Sequence, residues 1–190
     1  MEVQACAIPG MLLITPVRHA DARGEFHEVF NRHRWHEAIG PAPEFVQENQ
    51  SRSHRGVLRG LHWQQAHPQA KLVRVTRGEV YDVAVDLRPA SPTFGRWVGQ
   101  RLSDSDHRQV YLPEGLAHGF LVLSDLADVV YASTRHYEPG DDHAIAWNDP
   151  VLAIDWPLDG RPPHLSTRDA GAQSFTQAAA RFGWPGRPAG

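Results

Sequence analysis

The chain has 190 residues, of which 41% are hydrophobic and 22% charged, and its formal net charge is −3 with neutral histidines. This balance is ordinary for a globular domain and offers no basic field for nucleic acid or an anionic membrane surface. No apolar run approaches the roughly 20 residues of a membrane-spanning helix, and residues 1–19 lack the pattern of a signal peptide. A single cysteine, Cys6, excludes an internal disulfide framework. We therefore expect a soluble, cytoplasmic protein.

Short strands dominate the predicted secondary structure, with one short helix over residues 32–39. Alternation of apolar and polar residues predicts strands at 24–31, 70–76, 80–88, 108–113, 118–124, 128–137 and 143–149. The 16 glycines and 15 prolines indicate many turns and few long helices. This spacing is typical of a β-sandwich or barrel rather than of βαβ units.

The composition changes after Trp156, where proline-rich, irregular sequence begins. We predict a single domain over residues 1–190, with its core at about 16–169. Residues 170–190 are expected to form a C-terminal arm or tail that holds at most a brief helix.

Basic residues and glycines cluster in RGVLRGLHWQ, residues 55–64. The functional interpretation is a general base, His62, beside cations that bind a phosphate-bearing substrate, since histidine has a pKa of about 6.5. An exposed turn with solvated arginines explains the segment equally well. Strict alternation would put Arg59 and His62 on opposite faces, so a shared site requires a bulge or turn at Gly60.

The segment YLPEGLAHGF contains the pattern P-x-G-x-x-H, which ends at His118. It resembles the second motif of the cupin superfamily, and residues 56–62 resemble the start of the first. The resemblance implies an all-β, double-stranded β-helix (jelly-roll) barrel with an active site inside. Gln64 stands where the first motif normally has its second histidine, so we expect no metal and protonic chemistry instead, although other histidines could supply ligands.

Two further segments carry candidate groups. Alternation places Tyr131 and Tyr137 on one face of the strand predicted at 128–137, as a proton donor and an aromatic stacking platform or merely as core or rim residues. Asp169 lies in irregular sequence, where it either orients a histidine or is a solvated turn residue.

The chain closely resembles the dTDP-4-dehydrorhamnose 3,5-epimerase family from about Pro16 to Asp169. The matching segments, in order and with preserved intervals, are DARGEFHEVF, QENQSRSHRGVLRGLHWQ, KLVRVTRGEVYDVAVDLRPASPTFGRWVG, YLPEGLAHGFLVLSD, YASTRHYEPG, WNDPVLAIDWP and LSTRD. The resemblance implies inversion at C3 and C5 of dTDP-4-dehydro-6-deoxy-D-glucose, giving dTDP-4-dehydro-L-rhamnose without a metal or other cofactor, in dTDP-L-rhamnose biosynthesis. It also implies a homodimer, in which an early strand could exchange between subunits.

The resemblance assigns roles to individual positions. His62 would be the base, Asp169 its dyad partner, and Tyr131 the acid that returns a proton from the opposite face. The residues implied to bind the dTDP-linked 4-keto-6-deoxy sugar are Arg23, Phe26, Glu28, Gln47, Asn49, Arg59, Lys71, His118, Tyr137, Asp142 and Arg168. Within this set, Tyr137 would stack on the thymine, and Lys71 and His118 would stand near the keto sugar.

Four positions depart from the family pattern, and none of them removes a catalytic group. Asp142 stands in place of a glutamate, Arg168 in place of a lysine, Trp63 in place of a tyrosine and Glu48 in place of an aspartate. These departures leave open which nucleotide-sugar variant is used.

Three alternatives remain at this stage. A mono-epimerase that inverts only C3 or only C5 would carry the same residue set. A metal-dependent cupin such as a dioxygenase is disfavoured by the missing second histidine. A non-catalytic sugar-nucleotide binding module is disfavoured because His62, Tyr131 and Asp169 are all present.

Overall fold

The computed structural model describes residues 1–41 and 43–185. Within these residues the strands are β1 (Glu2–Ala5), β2 (Leu12–Thr15), β3 (Arg18–Asp21), β4 (Gly24–His27), β5 (Gln47–His54), β6 (Leu58–Gln64), β7 (Lys71–Arg77), β8 (Glu79–Asp86), β9 (Trp97–Ser103), β10 (Gln109–Leu112), β11 (Leu116–Val122), β12 (Leu126–Ser133) and β13 (Asp142–Ala144). The helices are α1 (Arg32–Ile39), α2 (Thr167–Ala170) and α3 (Phe175–Phe182), with a 3₁₀ turn at Pro139–Asp141. None of the helices in these ranges is long and apolar enough to cross a membrane.

Two antiparallel sheets pack face to face. The larger has the strand order β1-β2-β10-β7-β12-β5, and the smaller has the order β13-β6-β11-β8-β9. Apolar side chains of both sheets form the core between them, including Val73 and Val129 from the larger and Ala84 and Phe120 from the smaller. This arrangement confirms the predicted cupin-type jelly roll. Strands β3 and β4 form a separate two-stranded hairpin.

The predicted helix over 32–39 is confirmed as α1. Asn31 begins it, because its side chain accepts hydrogen bonds from the backbone N–H groups of His33 and Arg34. Trp35 is the buried residue of this helix and packs with Ile14 on the outer face of the larger sheet. A short helix with one buried aromatic covers only part of that face.

Three predicted strands are shorter than their alternation indicated. The strand predicted at 24–31 ends at His27, the strand predicted at 128–137 ends at Ser133, and the strand predicted at 143–149 ends at Ala144. After Ser133 the chain leaves the sheet, and the backbone N–H of Tyr137 donates to the side chain of Gln47 instead of to a strand partner. The prediction that Tyr131 and Tyr137 share one strand face is therefore wrong.

The C-terminal arm covers the outer face of the smaller sheet. On β8, Ala84 points into the core between the sheets, whereas Val83 points outward into a second apolar cluster. Phe175 and Trp184, from α3 and the residues after it, are buried in that second cluster. The arm is thus folded onto the body as far as it is described, and the rest of the predicted tail, residues 186–190, lies outside the described residues.

Candidate active site

A cavity of about 480 Å³ is lined by both sheets and by α2. Seven of the predicted site residues line it: Arg59, His62, Lys71, His118, Tyr131, Arg168 and Asp169. A smaller cavity of about 230 Å³ is lined by Gln47, Asn49, Gln69, Tyr131 and Tyr137. Because Tyr131 lines both cavities, the two adjoin and offer room for an elongated ligand.

A bulge in β6 brings Arg59 and His62 to the same cavity. His62 pairs with His118, whereas Arg59 pairs with Phe120, so β6 carries one extra residue at this point. Gly60 adopts a φ of +107°, and a Cβ built there would lie 2.5 Å from the carbonyl oxygen of His118. Only glycine fits, and the predicted irregularity at Gly60 is confirmed.

His62 and Asp169 form a hydrogen-bonded pair, with 2.5 Å between Nε2 of the ring and Oδ1 of the carboxylate. The Asp169 side chain is 3% exposed and lies in α2, whose first turn is capped by the hydroxyl of Ser166. Burial by itself raises the pKa of the Asp169 carboxyl, but hydrogen bonds from His62, Ser166 and the backbone of Gly60 outweigh it and hold the pKa below its ordinary value. The ionised carboxylate therefore orients the imidazole.

The other ring nitrogen of His62 is placed to exchange a proton. Nδ1 makes no hydrogen bond within residues 1–41 and 43–185, and His62 lines the cavity. A carboxylate that is hydrogen-bonded to one ring nitrogen stabilises the imidazolium that forms when the other ring nitrogen takes up a proton. The arrangement can therefore serve as a general base.

Tyr131 lies on β12 of the larger sheet, opposite the sheet that carries His62. Burial raises the pKa of its phenol, and the charge of Asp142 acts in the same direction, whereas Arg59 opposes both. The phenol is therefore protonated at neutral pH and can donate a proton into the cavity.

Lys71 extends over the ring of Tyr131, with 5.5 Å between its ammonium nitrogen and the ring centre. Burial lowers the pKa of Lys71 to about 8, although the carboxylates of Asp142 and Asp82 act in the opposite direction. The side chain is thus largely cationic at neutral pH and supplies positive charge next to the phenol.

His118 is held by Asp82, with 2.7 Å between Nε2 of the ring and Oδ2 of the carboxylate. Both side chains are buried, and Oδ1 of Asp82 has no hydrogen-bond partner among the described residues. Arg59 is fixed by a hydrogen bond from its Nε to the hydroxyl of Ser53, at 3.0 Å.

In the part of the chain that the structure describes, no group of three or more histidine, cysteine, aspartate and glutamate side chains is arranged to hold a metal ion.

The smaller cavity carries a network of polar side chains. Tyr137 donates through its hydroxyl to Oδ2 of Asp142 at 2.8 Å, and Arg168 forms an ion pair with the same oxygen at 2.6 Å. Gln47 donates to the side-chain oxygen of Asn49 at 2.9 Å. Tyr137 is 48% exposed, so part of its side chain is available for contact with a planar group.

Three predicted binding residues lie on or next to the β3–β4 hairpin. Arg23 forms an ion pair with Asp21 of the same hairpin at 2.6 Å, and Phe26 is 72% exposed. Glu28 accepts a hydrogen bond from Asn31 at 2.9 Å. Within the described residues, none of the three lines either cavity. A single chain therefore does not bring them to the other predicted site residues.

Three residues that support the site were missed by sequence analysis: Asp82, Ser53 and Ser166. Ser166 is followed three residues later by Asp169, a spacing typical of a helix N-terminus, so the pattern could have indicated α2. In the sequence, Asp82 alternates with Ala84 and Asp86 on one face of a predicted strand. Nothing in this pattern indicates that Asp82 bonds His118. Its role depends on the pairing of β8 with β11.

The sequence matches the family model described as dTDP-4-dehydrorhamnose 3,5-epimerase over residues 5–177. It is 51% identical to the dTDP-4-dehydrorhamnose 3,5-epimerase of Pseudomonas aeruginosa over 178 residues, which cover 94% of this chain and 98% of that protein. The family model thus spans the β3–β4 hairpin, the residues that line both cavities and the first three residues of α3.

Solved structures of sugar-nucleotide epimerases resemble the fold of this chain. The dTDP-6-deoxy-D-glucose-3,5-epimerase of Legionella pneumophila, in complex with dTDP-4-keto-L-rhamnose, has a TM-score of 0.91 and 46% identity and covers 99% of both chains. ChmJ, a 3'-monoepimerase from Streptomyces bikiniensis in complex with dTDP-quinovose, has a TM-score of 0.87 and 40% identity and covers 94% of this chain and 89% of its own. By sequence and by fold, the chain belongs to the dTDP-4-dehydrorhamnose 3,5-epimerase family.

Proposed function

We propose that the protein converts dTDP-4-dehydro-6-deoxy-D-glucose to dTDP-4-dehydro-L-rhamnose by inversion at C3 and C5, a step of dTDP-L-rhamnose biosynthesis. One observation carries this proposal: His62, oriented by buried Asp169, and Tyr131 line one cavity from opposing sheets. Epimerisation requires a base on one face of the sugar ring and an acid on the other. Of the three relatives described above, the two named for the double inversion are 51% and 46% identical to this chain, and the mono-epimerase is 40% identical.

In the proposed reaction, Nδ1 of His62 removes the proton from a carbon next to the C4 ketone. Negative charge then develops on the ketone oxygen, and the ammonium of Lys71, which lines the same cavity as His118, stabilises it as an enolate. The phenol of Tyr131 returns a proton to the same carbon from the opposite face. The sequence repeats at the second carbon after the ring has reoriented, and both groups are restored by exchange with water.

The rest of the substrate extends along the two adjoining cavities. Arg59 and Arg168 would bind the diphosphate, because planar guanidinium groups donate two parallel hydrogen bonds to phosphate oxygens. Tyr137 would stack on the thymine in the smaller cavity, beside Gln47 and Asn49. Asp142 contacts both the hydroxyl of Tyr137 and the guanidinium of Arg168. It would therefore connect the residue that stacks on the thymine to a residue that binds the diphosphate.

We infer a homodimer in which the β3–β4 hairpin of one copy completes the site of the other. The support is the position of Arg23, Phe26 and Glu28, which the family resemblance assigns to the site and which lie outside both cavities of their own chain. The high exposure of Phe26 also favours contact with a second copy.

A cytoplasmic location is part of the same proposal, since with one cysteine the fold has no disulfide that an oxidising compartment would have to form.

Complementation tests the shared site. His62→Ala and Arg23→Ala proteins, each expected to be weak alone, are mixed and allowed to exchange subunits. A shared site predicts that activity rises to about a quarter of wild type, because about half of the dimers are mixed and each has one intact site. No recovery, with subunit exchange confirmed by differently tagged chains, would contradict it.

The reaction itself is tested by incubating the purified, chelator-treated protein with dTDP-4-keto-6-deoxy-D-glucose in deuterated water, with analysis by mass spectrometry and NMR. Deuterium at both C3 and C5, with the L-rhamnose configuration after reduction, is the expected result. Deuterium at one carbon only would replace the proposal with a mono-epimerase. No exchange until a metal is added would favour a metal-dependent cupin, and binding without exchange a binding module.

A further inference from the structure

Among the described residues of one chain, the hydrogen bonds and ring contacts from the β3–β4 hairpin to the rest of the protein all go to one loop, Asp104–Arg108, between β9 and β10. The two strands of the hairpin pair only with each other in the described part of the chain. Glu25 of the hairpin is bonded to His107 of the loop, with 2.5 Å between Oε1 and Nε2. The ring of His27 stacks on the ring of His107, with 4.2 Å between centroids and an interplanar angle of 26°. We call Glu25, His27 and His107 the hairpin clamp.

The loop side of the clamp is held in place by its own backbone. His107 adopts a φ of +54°, and its N–H donates to the carbonyl of Ser103 at 3.1 Å. A third contact, from Nη1 of Arg18 to the carbonyl of Ser105 at 2.8 Å, joins the hairpin to the same loop. The loop is therefore a fixed surface against which the hairpin packs.

Charged groups from the hairpin and from β7 act on the clamp. Arg18 of the hairpin lies 3.6 Å from Glu25, Arg74 of β7 acts on His27, and Arg74 lies 3.7 Å from Glu48 of β5. Arg18 and the two stacked imidazoles thus act on the carboxylate of Glu25, and Arg74 acts on His27. Adding a positive charge to His27 is unfavourable, because its partly buried ring stacks 4.2 Å from the ring of His107 and lies within reach of the charges of Arg18 and Arg74.

The stability of the clamped state depends on pH in a definite direction. The hydrogen bond from His107 is the main reason that the pKa of Glu25 lies below its ordinary value. Burial is the largest cause that lowers the pKa of His27, and the charge of His107 is the second. Arg74 and Arg18 also lower this pKa, whereas Glu25 raises it. A released His27 would bind a proton more readily than a clamped one, so the clamped state is favoured above about pH 6.5 and loses stability as the pH falls below it.

We propose that His107 is a positioning residue that holds the β3–β4 hairpin through Glu25 and His27, and that mild acid releases the hairpin by protonating His27, whose ring stacks on that of His107. The hairpin carries Arg23 and Phe26. For its consequence on turnover, this inference rests on the proposed function, in which those residues contact substrate.

Hydrogen–deuterium exchange of the full chain measures the clamp without substrate. Protection of peptides covering residues 18–28 is compared at about pH 7.5 and about pH 5.5, after correction for intrinsic exchange rates. We expect a several-fold loss of protection in the wild type at the lower pH. His27→Phe, which keeps an aromatic ring but cannot be charged, should show the same protection at both pH values.

A matched control and a second variant complete the design. His19→Phe removes a histidine of the same hairpin that makes no clamp contact, and it should behave like the wild type. His107→Ala should lose the protection already at the higher pH, with an unchanged circular dichroism spectrum. Equal wild-type protection at both pH values, or a His27→Phe variant that still responds to acid, would overturn the clamp.

Kinetics separate the clamp from the proposed function. If both hold, the KM of the wild type rises at the lower pH while that of His27→Phe does not. If exchange follows the expected pattern but KM does not, the clamp is supported and the substrate role of the hairpin is contradicted.

Discussion

Lys71 places its ammonium nitrogen 5.5 Å from the centre of the Tyr131 ring, on the sheet that faces His62. The proposed acid and the proposed cation for the enolate therefore share one wall of the cavity, and the proposed base occupies the other. A cation at this position stabilises both the enolate and the phenolate that Tyr131 becomes when it gives up its proton. Lys71 is thus the residue whose charge links the two proton transfers.

Replacing Lys71 tests this link. Lys71→Met should lower kcat by about 100-fold to 1,000-fold, because one electrostatic contact to a developing oxyanion contributes on that scale. Lys71→Arg, which keeps the charge, should retain more activity. Steady-state turnover and deuterium incorporation at C3 measure the effect, and near-wild-type exchange by Lys71→Met would contradict the assigned role.

The pH dependence of kcat offers a second test of Lys71. Since burial brings its pKa to about 8, the cationic fraction falls as the pH rises through that value, and kcat should fall with it. Tyr131 does not contribute to this limb, because its pKa is raised above 10.0. A pH–rate profile of Lys71→Arg should lack the limb near pH 8, and a profile identical to that of the wild type would rule out Lys71 as its source.

His62→Ala should abolish deuterium exchange at both carbons. A general base contributes about 100-fold to 10,000-fold, and here no other described group is bonded to Asp169 in the same way. His136→Ala, at an exposed position outside both cavities, is the matched control and should be unaffected. Turnover of His62→Ala close to that of the wild type would refute the mechanism.

Tyr131→Phe should separate proton removal from inversion. His62 remains, so some exchange persists, but without the phenol the proton returns mainly from the original face and the yield of inverted sugar falls. NMR of the product mixture distinguishes exchange with retention from exchange with inversion. Tyr111→Phe, outside both cavities, is the control, and full inversion by Tyr131→Phe would assign the acid to another group.

The C-terminal arm should contribute substantially to stability. Phe175→Ala removes a side chain that is 2% exposed and should lower the free energy of unfolding by about 3–5 kcal/mol. Thr176→Ala, exposed on the same helix, should change it by less than about 0.5 kcal/mol. Urea unfolding followed by tryptophan fluorescence measures both, and equal stabilities would show that the arm contributes little.

Much of this fold could be predicted locally. Period-two alternation identifies β7, β8, β10, β11 and β12, because a strand in a two-sheet barrel has one face in the core. Helix α1 follows from the residue types after Asn31, which caps it. The bulge at Gly60 was predictable too, since only an irregularity could bring Arg59 and His62 to one site.

Other features required contacts between distant segments. The strand that carries Tyr131 ends at Ser133 because the chain there departs from its partners, and alternation cannot show where a partner is lost. The pairing of His118 with Asp82 arises only from the register of β11 on β8. Helix α2 is too short for its periodicity to be visible, so only the capping pattern that begins at Ser166 could have indicated it.

The sequence by itself determined the residue types, the strand pattern and the family resemblance, since these depend on local spacing and on motifs that stay together along the chain. The tertiary structure alone decided that Asp169 bonds His62, 107 positions away, and that Tyr131 faces them from the other sheet. It also decided that Arg23 and Phe26 lie on a hairpin outside their own chain's cavities. Such relationships depend on how two sheets and a loop pack in space, and that packing is set by many weak contacts among residues far apart in the chain.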